Sequence, residues 1–121
     1  SSDLSEAKPI IEKYFEDDWG QSQLDERFSK ATSWAKSHEI PARRLFMGEF
    51  GAILMPGRGN MGATNADRLR YIKAVRQSAE KSDIPWSLWE YSNPYGMSLI
   101  VPKGPAIPDD DLLKALGLPP Q

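Results

Sequence analysis

The 121-residue sequence has no cysteine, which excludes disulfides and thiolate metal sites. It has one histidine, His38, which argues against a histidine-based metal centre or a Ser-His-Asp triad. No run of about 18 apolar residues exists to span a membrane. No block of about five like charges exists either, and a formal net charge of −2 is too balanced for a nucleic-acid surface. The first residues, Ser1-Ser2-Asp3-Leu4-Ser5-Glu6, lack the basic start and apolar core of a signal peptide. The expectation is that a signal has been removed or that the chain begins inside a longer protein. The glycine-rich stretch 51–63 lacks the Gly-Lys-Ser/Thr of a phosphate-cradling loop. Any catalysis must rest on carboxylates, hydroxyls, lysines or aromatics, with no metal and no cofactor.

Against these absences stand four tryptophans, a residue type used both in cores and at stacking surfaces. The pattern along the chain is α/β. Pro9 suits the first turn of a short helix, and Asp17-Asp18-Trp19-Gly20 its end. Leu24, Phe28, Ala31 and Ala35 recur at helical spacing and predict a helix over 23–38, widened by Trp34 and capped by Ser22. Residues 44–50 form a nearly continuous apolar run, as in a strand buried on both faces. The loop 51–63, with Arg58 and Met55, follows. Thr64 and Asp67 make a capping-box-like start for a helix over 65–82 with the stripe Leu69, Ile72, Val75 and Ala79. Residues 84–91 predict a second strand, and 92–96 a turn. Asp109-Asp110-Asp111 opens a last short helix carrying Leu112, Leu113 and Leu116 and stopped by Gly117.

Two strands joined through a helix pair in parallel. Glu49 and Trp89 then fall near the carboxyl ends of both, the rim where α/β sheets and barrels build sites. Strict alternation puts Leu45, Met47 and Glu49 on one face of the first strand, and Ser87, Trp89 and Tyr91 on one face of the second. If Phe46, Trp86 and Leu88 pack under the helices, Glu49, Trp89 and Tyr91 share a face. An acid, an aromatic plane and a phenol suit a sugar, whose C–H faces stack on rings and whose cleavage uses two carboxyl groups. A Tyr91 hydrogen bond would keep Glu49 oriented and ionised. The same parity turns Glu90 away from Glu49. On composition alone Glu49 is equally an ordinary strand-end acid and Trp89 a core residue; Trp34 and Trp86 read as packing residues.

Leu45-Phe46-Met47-Gly48-Glu49-Phe50-Gly51, the helix with Arg68 and Tyr71, and Trp86-Ser87-Leu88-Trp89-Glu90-Tyr91 together resemble the carboxyl-terminal part of the family five glycoside hydrolases, the cellulase group. The resemblance spans roughly residues 23–117. It implies that residues 1–121 are the carboxyl-terminal part of one TIM (β/α)8 barrel, with strands seven and eight at about 44–50 and 84–91. It implies that Glu49 is the catalytic nucleophile of a retaining endo-β-1,4-glucanase and Trp89 the platform for the sugar beside the cleaved bond. Tyr91 joins them as a substrate-binding residue.

Such barrels need about 250 residues, and the acid/base Glu of the family follows an Asn. No Asn-Glu pair occurs here. The chain alone is therefore expected to be inactive and to pair with the remainder of the barrel. β-Glucan is the implied partner, with no nucleic acid or membrane, in a secreted or periplasmic setting. Two other readings stay open. One is a non-catalytic barrel remnant acting as a carbohydrate-binding or assembly module. The other is an unrelated small α/β domain, which would place Glu49 and Trp89 on different faces.

Overall fold

The computed structural model describes residues 5, 8–10, 12–13, 16, 20–54, 62–93, 96–100 and 105–120. Helix α1 spans Gln21–Ser37, a 3-10 turn spans Ala42–Arg44, and strand β1 spans Met47–Phe50. Helix α2 spans Asn65–Lys81, strand β2 Trp86–Leu88, and helix α3 Asp110–Ala115. Among the described residues the sheet has two strands, β1 and β2, paired in parallel. The structure is thus the helix-covered parallel piece of an α/β fold that the sequence predicts. Residues 8–10 and 12–13 are helical; the expected turn at 17–19, Met55, Arg58 and Met61 lie outside the described residues.

Helices α1, α2 and α3 end in the same way. Ile40 N donates to Ala35 O at 2.9 Å, Ile84 N to Ala79 O at 3.0 Å and Leu118 N to Leu113 O at 2.9 Å. The residue before each donor is left-handed: Glu39 at φ 57, Asp83 at φ 55 and Gly117 at φ 71. This is the Schellman stop, which satisfies the last free carbonyls and suits glycine best. At α1 and α2 it delivers the chain straight into Ile-Pro and the following strand segment.

The helix starts are equally local. Thr64 Oγ1 accepts from Asp67 N at 3.2 Å at the start of α2. Asp109 Oδ1 accepts from Asp111 N and Leu112 N at 3.0 and 3.1 Å at the start of α3. The start of α1 differs from expectation. Gly20, not Ser22, is its cap, because the Gln23 side chain reaches back to accept from Gly20 N at 2.9 Å.

The core lies between the strands and helices. Phe50, Ile72, Val75, Leu112, Ala115 and Leu116 are buried together, with Leu24, Phe28, Met47 and Trp86 packed against them. Burial of each large side chain is worth about 1.5–3 kcal/mol, so this cluster is the main adhesive between the elements. Trp86 meets Phe50 edge-on, ring centroids 5.6 Å apart at 86°, in the packing role predicted for it. Trp34 does not take that role. It is 53% exposed, about 100° around α1 from buried Ala35, and stacks on His38 with centroids 4.4 Å apart. Polar contacts between α1 and α2 centre on Asp25, which accepts from Ser78 Oγ at 2.6 Å and Lys81 Nζ at 2.5 Å.

Candidate active site

Both strands are shorter than the apolar runs suggest, and the reasons shape the site. Pro41 and the 3-10 turn carry the chain to Leu45, so pairing begins only at Met47, whose N–H donates to Pro85 O at 2.9 Å. Phe46 stands before the strand and is 64% exposed, so it does not pack under the helices as alternation requires. At the other end, β2 stops at Leu88. Beyond it, Glu90 N donates to Met97 O at 3.3 Å and Leu99 N to Glu90 O at 2.8 Å. The backbone of Glu90 is thereby used by the returning 97–99 segment instead of by β1. The Trp89–Glu90 peptide bond is cis.

The register contains an irregularity. Met47 pairs with Trp86 and Phe50 with Leu88, so three steps along β1 match two along β2. This is a β-bulge, a device that re-aims side chains near sites. It breaks the alternation: Met47 and Phe50 both reach the core, while Gly48 and Glu49 between them are exposed. Ser87 Oγ donates to Gly48 O at 2.6 Å and anchors the bulge. Glu49 is therefore pushed outward by the extra residue, at the carboxyl-terminal end of β1.

Trp89 follows directly on β2, and its N–H donates to Phe50 O at 2.8 Å. Trp89 is thus bonded to the residue after Glu49 and is itself 44% exposed. Gly51 makes this approach possible. A Cβ there would fall well inside 3.0 Å of the Trp89 carbonyl oxygen, and 3.1 Å from Met97 Cε. By contrast, a Cβ on Gly48 would meet nothing closer than Phe46 Cε1 at 3.9 Å. Within Gly-Glu-Phe-Gly, the second glycine is the steric requirement.

Tyr91 lies past the bend, 63% exposed, and its carbonyl accepts from Ile100 N at 3.2 Å. Strand parity does not govern it, since β2 has already ended. No hydrogen bond joins its hydroxyl to Glu49 among the described residues. Glu90 is half-buried and accepts a hydrogen bond from Asn93 Nδ2. Ser98 Oγ closes that loop, accepting from Asn93 N and donating to Asn93 O, each at 2.6 Å.

Sequence reasoning named one residue here, Arg68, without giving it a role. Arg68 is 2% exposed. Its Nε donates to Ala52 O at 3.2 Å and its Nη2 to Ser98 O at 3.0 Å, with Asp109 Oδ2 3.8 Å from Nη1. Burial pulls its pKa below the usual value, and the Asp109 carboxylate opposes this. A signal was present: Arg68 precedes Ile72 by four, so it continues the buried stripe of α2 that Leu69 only flanks.

Among the described residues no group of three or more His, Cys, Asp or Glu side chains is placed to hold a metal. No described helix is long and apolar enough to cross a membrane.

A parallel strand pair covered by helices is the arrangement found in (β/α) barrels and in open α/β sheets, both of which build sites on the carboxyl-terminal rim. No protein-family model matches the chain. Endoglucanase 3 of Fibrobacter succinogenes is 30% identical over 117 residues, 97% of this chain and 16% of that protein. A hyperthermophilic endo-β-1,4-glucanase, solved in complex with substrate, superposes with a TM-score of 0.65 at 29% identity, over 83% of this chain and 28% of that one. Thermotoga maritima Cel5A in complex with cellobiose superposes with a TM-score of 0.63 at 27% identity, over 81% and 29%. The chain is similar to the family five glycoside hydrolases, the cellulase group, and matches a portion of their barrel. It spans about a sixth of the curated relative and under a third of the solved chains.

Proposed function

We propose that this chain supplies the nucleophile and the sugar platform of a retaining endo-β-1,4-glucanase. The observation that carries the reading is the bulge at Gly48-Glu49, which turns Glu49 out at the rim while the Trp89 N–H bonds Phe50 O at 2.8 Å. A carboxylate and a half-exposed tryptophan are thereby fastened to adjoining strand ends. Glu49 attacks the anomeric carbon, Trp89 stacks on the sugar next to the cleaved bond, and Tyr91 contacts substrate further along the rim. The relatives are endoglucanases, which supports a β-1,4-glucan substrate. A polymer of that kind is met outside the cell, which favours a secreted or periplasmic enzyme.

The acid/base carboxyl comes from the remainder of the barrel, about 5–5.5 Å from Glu49 in a retaining enzyme. A groove of about 410 Å³ lined by Phe28, Ala31, Leu45, Phe46 and Met47, among others, supports a docking face for that remainder beside β1. The chain is thus one part of a single catalytic domain and is inactive by itself.

The test is Glu49→Gln in the complete protein. Hydrolysis of cello-oligosaccharide falls on the order of 10⁴-fold or more while binding survives; retained hydrolysis overturns the reading. A second reading, a non-catalytic barrel remnant that binds glucan, draws on the absence of an Asn-Glu pair from the sequence and on Glu90 being engaged by Asn93. Glucan binding without hydrolysis by the complete, unaltered protein would favour it.

A further inference from the structure

We propose that Arg68 is a positioning residue that sets the offset between Glu49 and Trp89 by tying together the loops that leave their two strands. The inference rests on the glucanase reading of that rim.

The guanidinium touches three segments at once. Ala52, whose carbonyl accepts from Nε, is three residues past Glu49. Ser98, whose carbonyl accepts from Nη2, closes the loop on Asn93, and Asn93 in turn holds Glu90, the neighbour of Trp89. Asp109 adds the start of α3. Two of the three partners are backbone carbonyls, so the planar fork of an arginine defines their relative position directly. A lysine offers a point charge without that fixed geometry.

Burying a guanidinium is costly, and an apolar side chain of similar volume is often at least as stabilising in such a place. Stability therefore gives a weak account of this arginine, and geometry a strong one. The loops have other links, among them Leu54 N to Gly96 O at 2.8 Å. Removing the fork leaves them joined but free to shift. A misplacement on the order of 1 Å at a reacting centre costs about 10²-fold in rate.

Arg68→Lys and Arg68→Met are made in the complete protein and assayed well below each variant's unfolding midpoint. The readouts are kcat, KM for a cello-oligosaccharide, and the rate of covalent labelling of Glu49 by an activated 2-deoxy-2-fluoro-cellobioside, read by mass. Expected are kcat and labelling rate lowered together by about 10- to 10²-fold in the folded variants, with KM changed less than about 3-fold. Labelling at the parental rate in a folded variant overturns the inference. Loss of folding in both variants also overturns it, because Arg68 is then a stability residue. If the parent protein is not labelled at Glu49, the glucanase reading itself fails and the inference with it. That outcome is distinct, because it is seen before any variant is made.

Discussion

Gly51→Ala puts the contact between the two strand ends to a direct test. The new Cβ would fall well inside 3.0 Å of the Trp89 carbonyl oxygen, 3.1 Å from Met97 Cε and 3.3 Å from the Trp89 carbonyl carbon. Two of these three atoms are backbone, so no side-chain rotation relieves the clash. The strand ends must separate, and the 2.8 Å bond from Trp89 N to Phe50 O lies directly across the opening. Overpacking of this kind costs about 1–3 kcal/mol. If Glu49 and Trp89 act as proposed, a displacement on the order of 1 Å between them adds a loss of about 10²-fold in kcat. Gly48→Ala is the matched control, since its Cβ has 3.9 Å of room and its expected effect is within about 0.5 kcal/mol. Denaturant unfolding of the complete protein and cello-oligosaccharide turnover measure both quantities. Equal midpoints and equal rates for the two variants would refute the steric argument and the shared rim built on it.

Two further predictions concern the helices. The Asp25 carboxyl is held down at about 2 by hydrogen bonds from Lys81 first, then Ser78 and Gln21. Its folded value lies below the usual carboxylate value, so its contribution is complete above about pH 4 and is lost as pH falls through about 2. The stability gap between the parent and Asp25→Asn should therefore narrow from about pH 4 to pH 2 in urea titrations; a constant gap would rule the linkage out. Glu39 and Asp83 occupy left-handed positions at φ 57 and 55, where a non-glycine residue costs roughly 1–2 kcal/mol. Glu39→Gly should raise stability by about 0.5–1 kcal/mol after the greater unfolded-state freedom of glycine is counted. Asp83→Gly should gain less, because aspartate tolerates this region better; thermal midpoints that fall in both variants would contradict the strain.

The amino-acid sequence by itself determined the order of elements, the parallel pairing, the caps at Thr64 and Asp109 and the stop at Gly117. These are short-range matters: apolar spacing, a hydroxyl or carboxylate three residues from a free N–H, a residue able to turn left-handed. The Gly-Glu-Phe-Gly segment and the tryptophan-rich stretch after α2 likewise carried the family resemblance without any coordinates. Tertiary structure decided how those residues meet. Alternation along 44–50 and 84–91 assigned faces to Phe46, Trp89 and Tyr91 on the assumption of regular strands. The bulge between Met47 and Phe50 and the end of β2 at Leu88 removed that assumption. A bulge is set by which backbone groups of two distant segments find partners, and no local pattern encodes it. Arg68 shows the same division. Its place on the buried stripe of α2 is written in the spacing, but its partners at Ala52, Ser98 and Asp109 exist only once three separate segments are folded onto one guanidinium.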